Sequence, residues 1–126
     1  MKKIYCLLFT IFSVALLNAG GSSSGLAYFW GGKTGGAGVD AVRGVAVDPA
    51  GNTYVTGYYA ATANFDIQGG NTSFTSAGSR DLFIAKYDIF GQLLWAKSVG
   101  GVGVEDARAI CVDLNNNIWI TGQFTG

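Results

Sequence analysis

Beyond residue 25 the apolar and polar positions alternate in short bursts and never settle into a sustained helical stripe. Seven runs stand out: 26–33 (LAYFWGGK), 41–48 (AVRGVAVD), 53–59 (TYVTGYY), 81–88 (DLFIAKYD), 92–99 (QLLWAKSV), 107–113 (ARAICVD) and 118–124 (IWITGQF). Each is rich in β-branched or aromatic residues and is bounded by Gly, Asn, Asp or Ser, which predicts strands joined by tight turns. In AVRGVAVD and ARAICVD the apolar residues fall on both parities, so these strands are expected to be covered on two faces. The one long connection, 60–80, is polar and glycine-bearing, with room for a short extra strand around Phe65. The pattern predicts an all-β chain.

The same phrase occurs twice. VDPAGNTYVTG (47–57) returns 65 positions later as VDLNNNIWITG (112–122), and a shift of 65 lays 30–61 on 95–126 without a gap. Trp30 meets Trp95, Gly35-Gly36 meets Gly100-Gly101, Arg43 meets Arg108, Asp48 meets Asp113, and Thr56-Gly57 meets Thr121-Gly122. One period contains four predicted strands, and four antiparallel strands per repeat describe a propeller blade. The period exceeds the roughly 40–50 residues of common blades; the 21-residue connection accounts for the excess.

Three turns share one logic: DPAGN (48–52), DIFGQ (88–92) and DLNNN (113–117). Asp48, Asp88 and Asp113 are placed to accept hydrogen bonds from the amides of their own turns. Gly51, Gly91 and Asn116 occupy a position expected to be left-handed, a conformation that Gly adopts freely and Asn tolerates. Asn52 and Asn117 close the first and third turns. Calcium is the chemical alternative, but each turn supplies one carboxylate where a calcium loop gathers several; no metal or other cofactor is expected.

Taken as an ordered set, VD..GN.YVTG, D.FIAKYD..G...W and the Gly-Gly after the tryptophan give a chain that resembles the SBBP family of bacterial β-propeller repeats across 26–126. Asn115-Asn116 depart from the small residue and glycine of that pattern. The resemblance implies tandem blades in large secreted or cell-surface proteins and brings no catalytic residues with it. It implies that 26–33 is the outermost strand of a preceding blade, 41–99 a full blade and 107–124 the inner half of the next, together a partial β-propeller of about one and a half blades plus one strand. Seven strands cannot close a ring of four or more blades. A fragment of a longer repeat protein is therefore expected, with further blades of the same or another chain as partners; self-association and collapse into a two-layer sheet are the alternatives.

The N-terminus adds a compartment. Lys2 and Lys3, the 14-residue apolar run IYCLLFTIFSVALL and NAG read as a signal peptide over 1–19, followed by a flexible leader, GGSSSG, at 20–25. The run is shorter than the roughly 20 residues of a transmembrane helix, although an uncleaved anchor is the alternative. The expected location is secreted, periplasmic or cell-surface, with no membrane segment after cleavage. Cleavage would leave six basic against eight acidic residues, a net charge of −2 that offers no field for nucleic acid. Only Cys111 would remain, which excludes an intramolecular disulfide; it replaces Ala46 of the earlier repeat and reads as a small buried filler.

The chain has no histidine, which removes the commonest general base and the Ser-His and Cys-His pairs. GGKTGG (31–36) lacks the earlier glycine and following helix of a phosphate loop. Asp40, Glu105 and Asp106 precede inner strands as candidates for acid–base chemistry, or as partners of Arg43 and Arg108; Glu105 and Asp106, being adjacent, would point to opposite faces of a strand. Trp30, Trp95 and Trp119 could offer a carbohydrate-stacking surface with the tyrosines, but Trp30 and Trp95 recur at the repeat period, which favours a packing role in the blade core. Tyr58, Tyr59 and Phe65, beside the long connection, are the candidate contact surface. The expected function is a non-enzymatic scaffold or a protein- or glycan-binding module. The alternative is a non-catalytic part of a secreted propeller enzyme, a glycan hydrolase or lyase.

Overall fold

The computed structural model describes residues 9–15 and 27–125, with side-chain burial from Trp30 onward. The fold is all-β. Its strands are β1 (Phe9–Ala15), β2 (Ala27–Gly36), β3 (Ala41–Val47), β4 (Thr53–Tyr59), β5 (Thr62–Asn64), β6 (Ser73–Thr75), β7 (Asp81–Tyr87), β8 (Leu93–Val99), β9 (Val104–Val112) and β10 (Ile118–Thr125). Among the described residues no helix is long and apolar enough to cross a membrane.

The central sheet runs β3-β4-β7-β8, antiparallel throughout, which is one complete blade. Its middle strand, β4, is buried at all seven positions. On one face Val55 and Tyr59 join Phe83, Ala85 and Tyr87 with Trp30, Ala63 and Phe65 in the main core. Burying an apolar side chain of this size is worth about 1.5–3 kcal/mol. The aromatic rings interlock, with the Phe65 centroid 4.8 Å from Phe83 and 5.4 Å from Tyr59. Successive residues of a strand face opposite ways, so Thr56 and its cross-strand neighbour Gly44 look to the other side. There β9 packs across β3, β4 and β7; a Cβ at Gly44 would press on Ile110. The Thr56 hydroxyl, fully buried between the layers, donates to the Phe83 carbonyl at 2.7 Å.

β9 and β10 repeat the geometry of β3 and β4. Gly57 pairs with Val42 and Thr56 with Gly44, across an irregularity between Val42 and Gly44; Gly122 pairs with Ala107 and Thr121 with Ala109, across the same irregularity. These pairs are related by the shift of 65. The second repeat is thus a two-stranded sheet that copies the inner half of the first blade.

Three features differ from the sequence expectations. Double coverage belongs to β4, not β3: Val45 and Val47 are 54% and 59% exposed, because they point to the core side of the blade at its inner edge, where no further strand covers them. Cys111 is exposed rather than a buried filler, because it lies on the half-blade, opposite the equally exposed Trp119. The 60–80 connection holds two short strands, β5 and β6, which form a hairpin added to the end of β2. Gly36 permits that junction, since a Cβ there would collide with the Thr62 carbonyl.

The middle of the apolar N-terminal run also forms a strand. β1 pairs with β2 through Phe9–Thr34, Ser13–Trp30 and Val14–Tyr28, with a break between Ser13 and Val14. β7 pairs with β8 through Leu82–Val99, Lys86–Trp95 and Tyr87–Leu93, with its break between Lys86 and Tyr87. Thr34, Trp30 and Tyr28 are the counterparts of Val99, Trp95 and Leu93, so β1 occupies the third-strand place of the preceding blade. The remainder of the 1–19 leader and the 20–25 segment lie outside the described residues.

Candidate functional site

The polar side chains of the two repeats gather at strand ends and at the seam between them. At the first turn Asp48 Oδ1 accepts from the Ala50 and Asn52 amides at 3.0 and 2.9 Å. Asp48 Oδ2 accepts from Asn52 Nδ2 at 2.8 Å and Tyr54 OH at 3.2 Å, and lies 3.3 Å from Lys86 Nζ. Lys86 comes from the third strand and also stands 4.8 Å from the centre of the Tyr54 ring, a cation–π contact. Burial pushes the Asp48 carboxyl up, but the side-chain and backbone N–H groups of Asn52, with Lys86 and Tyr54, outweigh it and bring the pKa to about 2. Tyr54 and then Asp48 raise the Lys86 ammonium against the opposing effect of burial.

The other turns follow the same plan. Asp88 Oδ1 takes the Phe90 and Gln92 amides at 2.8 and 2.9 Å. Asp113 Oδ1 takes those of Asn115 and Asn117, both at 2.9 Å, while Oδ2 takes Asn117 Nδ2 at 2.8 Å and Trp119 Nε1 at 3.4 Å. The Asn117 side chain, then its backbone, leads in holding the Asp113 carboxyl below its usual range. Gly51, Gly91 and Asn116 have φ of +86°, +79° and +63°. All three aspartates are committed to their own loops, and among the described residues no group of three or more His, Cys, Asp or Glu side chains is arranged to hold a metal.

The seam carries a second cluster. Asp106, at the start of β9, is buried and lies 3.7 Å from Arg43 Nε and 3.5 Å from Arg108 Nε. Arg43 and Arg80 both approach the Tyr58 ring, at 5.4 and 4.6 Å from its centre. The backbone joins in: Glu105 N donates to the Arg80 carbonyl at 3.0 Å, and Ser79 N to that of Gly103 at 3.2 Å. Three acids clamp the loops that lead into strands by taking the amide four residues earlier. Asp40 Oδ2 takes Gly36 N at 2.8 Å, Asp81 Oδ2 takes Ala77 N at 3.1 Å, and Glu105 Oε2 takes Gly101 N at 3.1 Å. Asp40, Glu105 and Asp106 are thereby engaged in loop geometry and an inter-repeat ion pair rather than gathered as acid and base.

Tyr58, Tyr59 and Phe65 do not form a contact surface. They are 7%, 0% and 1% exposed: the β5–β6 hairpin folds back and carries Phe65 over Tyr59 and Phe83, while Tyr58, on the opposite face of β4, is covered by Arg43 and Arg80 on the side where β9 packs. The Tyr59 hydroxyl shares a hydrogen bond with Ser98 Oγ at 2.6 Å, and burial raises its pKa. Tyr87 donates to the Phe65 carbonyl at 2.8 Å. The large apolar groups that do reach solvent belong chiefly to turns, loops and the half-blade: Phe90 at 67%, Val102 at 87%, Leu114 at 89%, Trp119 at 62% and Phe124 at 58%. Sequence periodicity alone could not separate Trp119 from Tyr54, because the two stand at equivalent places in the repeat.

Residues 33–58, which run from the end of β2 through β4, match the SBBP family, described as a beta-propeller repeat. In an alignment 119 positions long that covers 83% of the chain, it is also 29% identical to an uncharacterized WD repeat-containing protein, L264, of Acanthamoeba polyphaga mimivirus. The chain covers 9% of that relative. The match to a beta-propeller repeat and the WD-repeat relative agree with the observed blade in supporting a repeat scaffold module.

Proposed function

We propose that this chain is a non-enzymatic segment of a longer secreted or cell-surface propeller, in which the blades serve as a scaffold for a protein or glycan ligand. The observation that carries the reading is the complete four-stranded blade with a second repeat stacked on its face, its aspartates spent on turns and on the seam. A ligand would be met by the exposed half-blade or by the loops beside it, since the tyrosines near the long connection are interior. Export rests on the leader sequence: two lysines, an apolar run and a small-residue site. Removal of that leader would take β1 away and open the edge of β2, so β1 as a blade strand and β1 as a cleaved signal exclude one another.

One experiment addresses the compartment and the activity together. The protein is recovered from its native cell by fractionation, its N-terminus is sequenced, and the material is assayed against a panel of glycans. Recovery outside the cytoplasm, with a start near Gly20 and no turnover, supports the reading. An intracellular protein that begins at Met1, or glycan cleavage, would sink it.

A further inference from the structure

Three arginines meet at the seam between the blade and β9, and one carboxylate answers them. We propose that Arg43, Arg80 and Asp106 form a binding site for a hydroxy-carboxylate group of the kind a uronic acid presents: the guanidiniums take the carboxylate and Asp106 Oδ1 takes a neighbouring hydroxyl. The proposal deepens, and rests on, the reading of the blades as a scaffold for a glycan ligand.

The backbone sets out the arginines. Arg43 falls between Val42, which pairs with Gly57, and Gly44, which pairs with Thr56, so it is the extra residue of a β-bulge. Arg108 holds the same place between Ala107 and Ala109. A bulge re-aims the side chain of its extra residue, and bulges are frequent beside functional sites. Both arginines turn to Asp106, Arg43 Nε lying 3.7 Å from Oδ1 and Arg108 Nε 3.5 Å from Oδ2. Arg80 arrives from the loop before β7 and shares the Tyr58 ring with Arg43, at 4.6 and 5.4 Å from its centre. A cation–π contact uses the charge of a guanidinium and leaves its N–H donors for another partner.

Charge at the seam is out of balance. Among the described residues Arg80 enters no ion pair, and Asp106 is the only carboxylate paired with Arg43 or Arg108. The other acids at this end of the blade are committed, since Asp40, Asp81 and Glu105 each accept the amide four residues earlier. Guanidiniums gathered with too few acids attract an anion, and their planar fork matches a carboxylate.

Asp106 narrows the ligand further. It is 5% exposed, and its Oδ1 is buried with no hydrogen-bond partner; the 3.7 Å to Arg43 is longer than a hydrogen bond. An acceptor left in that state costs stability until a donor reaches it. The Arg43 side chain is 45% exposed, so it is free to turn toward a bound carboxylate and open Oδ1 to a hydroxyl. A hydroxy acid supplies the acceptor and the donor together. Acetate and sulfate lack the donor, and a neutral sugar lacks the anion.

The test uses the full chain, labelled with ¹⁵N and titrated at low salt with D-glucuronate, acetate, sulfate or D-glucose while the arginine Nε–H signals are followed by NMR. The expected result is a saturable shift of the Arg43 and Arg80 signals by glucuronate, with affinity at least about tenfold above that for the other three. Arg43→Lys and Arg80→Lys, which keep the charge and remove the fork, should each weaken glucuronate about tenfold; if one of them fails to fold, the other decides. Asp106→Asn, a weaker acceptor, should narrow the preference over acetate to less than about threefold. No saturable shift, or shifts confined to residues away from the seam, overturns the site. Equal affinity for acetate, sulfate or glucose overturns the hydroxyl contact with Asp106. Neither result touches the scaffold reading, which falls separately, on glycan cleavage or on retention in the cytoplasm.

Discussion

Tyr54 and Trp119 occupy the same place in successive repeats and hydrogen-bond to equivalent aspartates, yet one is 2% exposed and the other 62%. Tyr59 and Phe124 form a second such pair, at 0% and 58%. The local chemistry is nearly unchanged between the two members of each pair. The difference lies in what stands beside them: β7 and the β5–β6 hairpin complete the first blade, whereas β10 ends the described sheet. A blade hairpin therefore sets its turns and register by itself, but its core is made by the third strand and the hairpin that follows.

The sharpest way to break this comparison is to truncate the paired aromatics. Tyr59→Ala should cost about 3–5 kcal/mol, the range for losing a buried aromatic, whereas Phe124→Ala should stay within about 0.5 kcal/mol; urea midpoints at constant slope decide it. Equal losses would mean that the two hairpins are equally packed. Next comes the cation of the third strand. Lys86→Met leaves Asp48 shielded without its ion-pair partner and should cost about 2–3 kcal/mol, while Asp113→Asn, which removes one of the acceptor oxygens of an exposed turn, should lower the midpoint by less than Lys86→Met does.

The same aspartate predicts an acid limb. The Asp48 carboxyl is lowered to about 2 from 3.8, so its stabilisation is fully present above pH 4 and is lost as the pH falls from about 4 to about 2. The carboxylate lies close to the surface, which reduces the contribution to about 1–2 kcal/mol. Asp48→Asn should flatten that limb in a pH series of melting curves. A limb that persists unchanged would assign it to other carboxylates. The smallest effects belong to the turns. Gly51→Ala, at φ +86°, should cost about 1–2 kcal/mol, and Asn116→Gly should shift stability by less than about 0.5 kcal/mol, because asparagine already tolerates that conformation.

Much of the fold was legible in the sequence because turns and repeats are local signals. The aspartates at 48, 88 and 113, the left-handed positions three residues later and the strands between them need only their neighbours. Phe65 was read as surface because a polar, glycine-rich connection looks solvated; its burial depends on the hairpin closing over Tyr59, a contact between residues distant in the pattern. The seam was half visible. Asp106 could be named as a partner for Arg43 and Arg108, but the stacking of Arg43 and Arg80 on Tyr58 requires β9 to lie across the blade. The apolar leader reads as a targeting signal and says nothing about β1, since a run of Phe, Ile, Val and Ala satisfies a signal peptide and a strand equally well.

The central claim is that, among the described residues, the first repeat is a complete four-stranded blade and the second a two-stranded hairpin whose β10 edge is unpaired. Native-state hydrogen exchange resolved by residue tests it most directly. The account predicts that β4 and β7 amides exchange only through global opening, and that those of β9 and β10 exchange through a smaller, local opening, with the free edge of β10 fastest. Protection of β10 equal to that of β4 in the isolated monomer would contradict it.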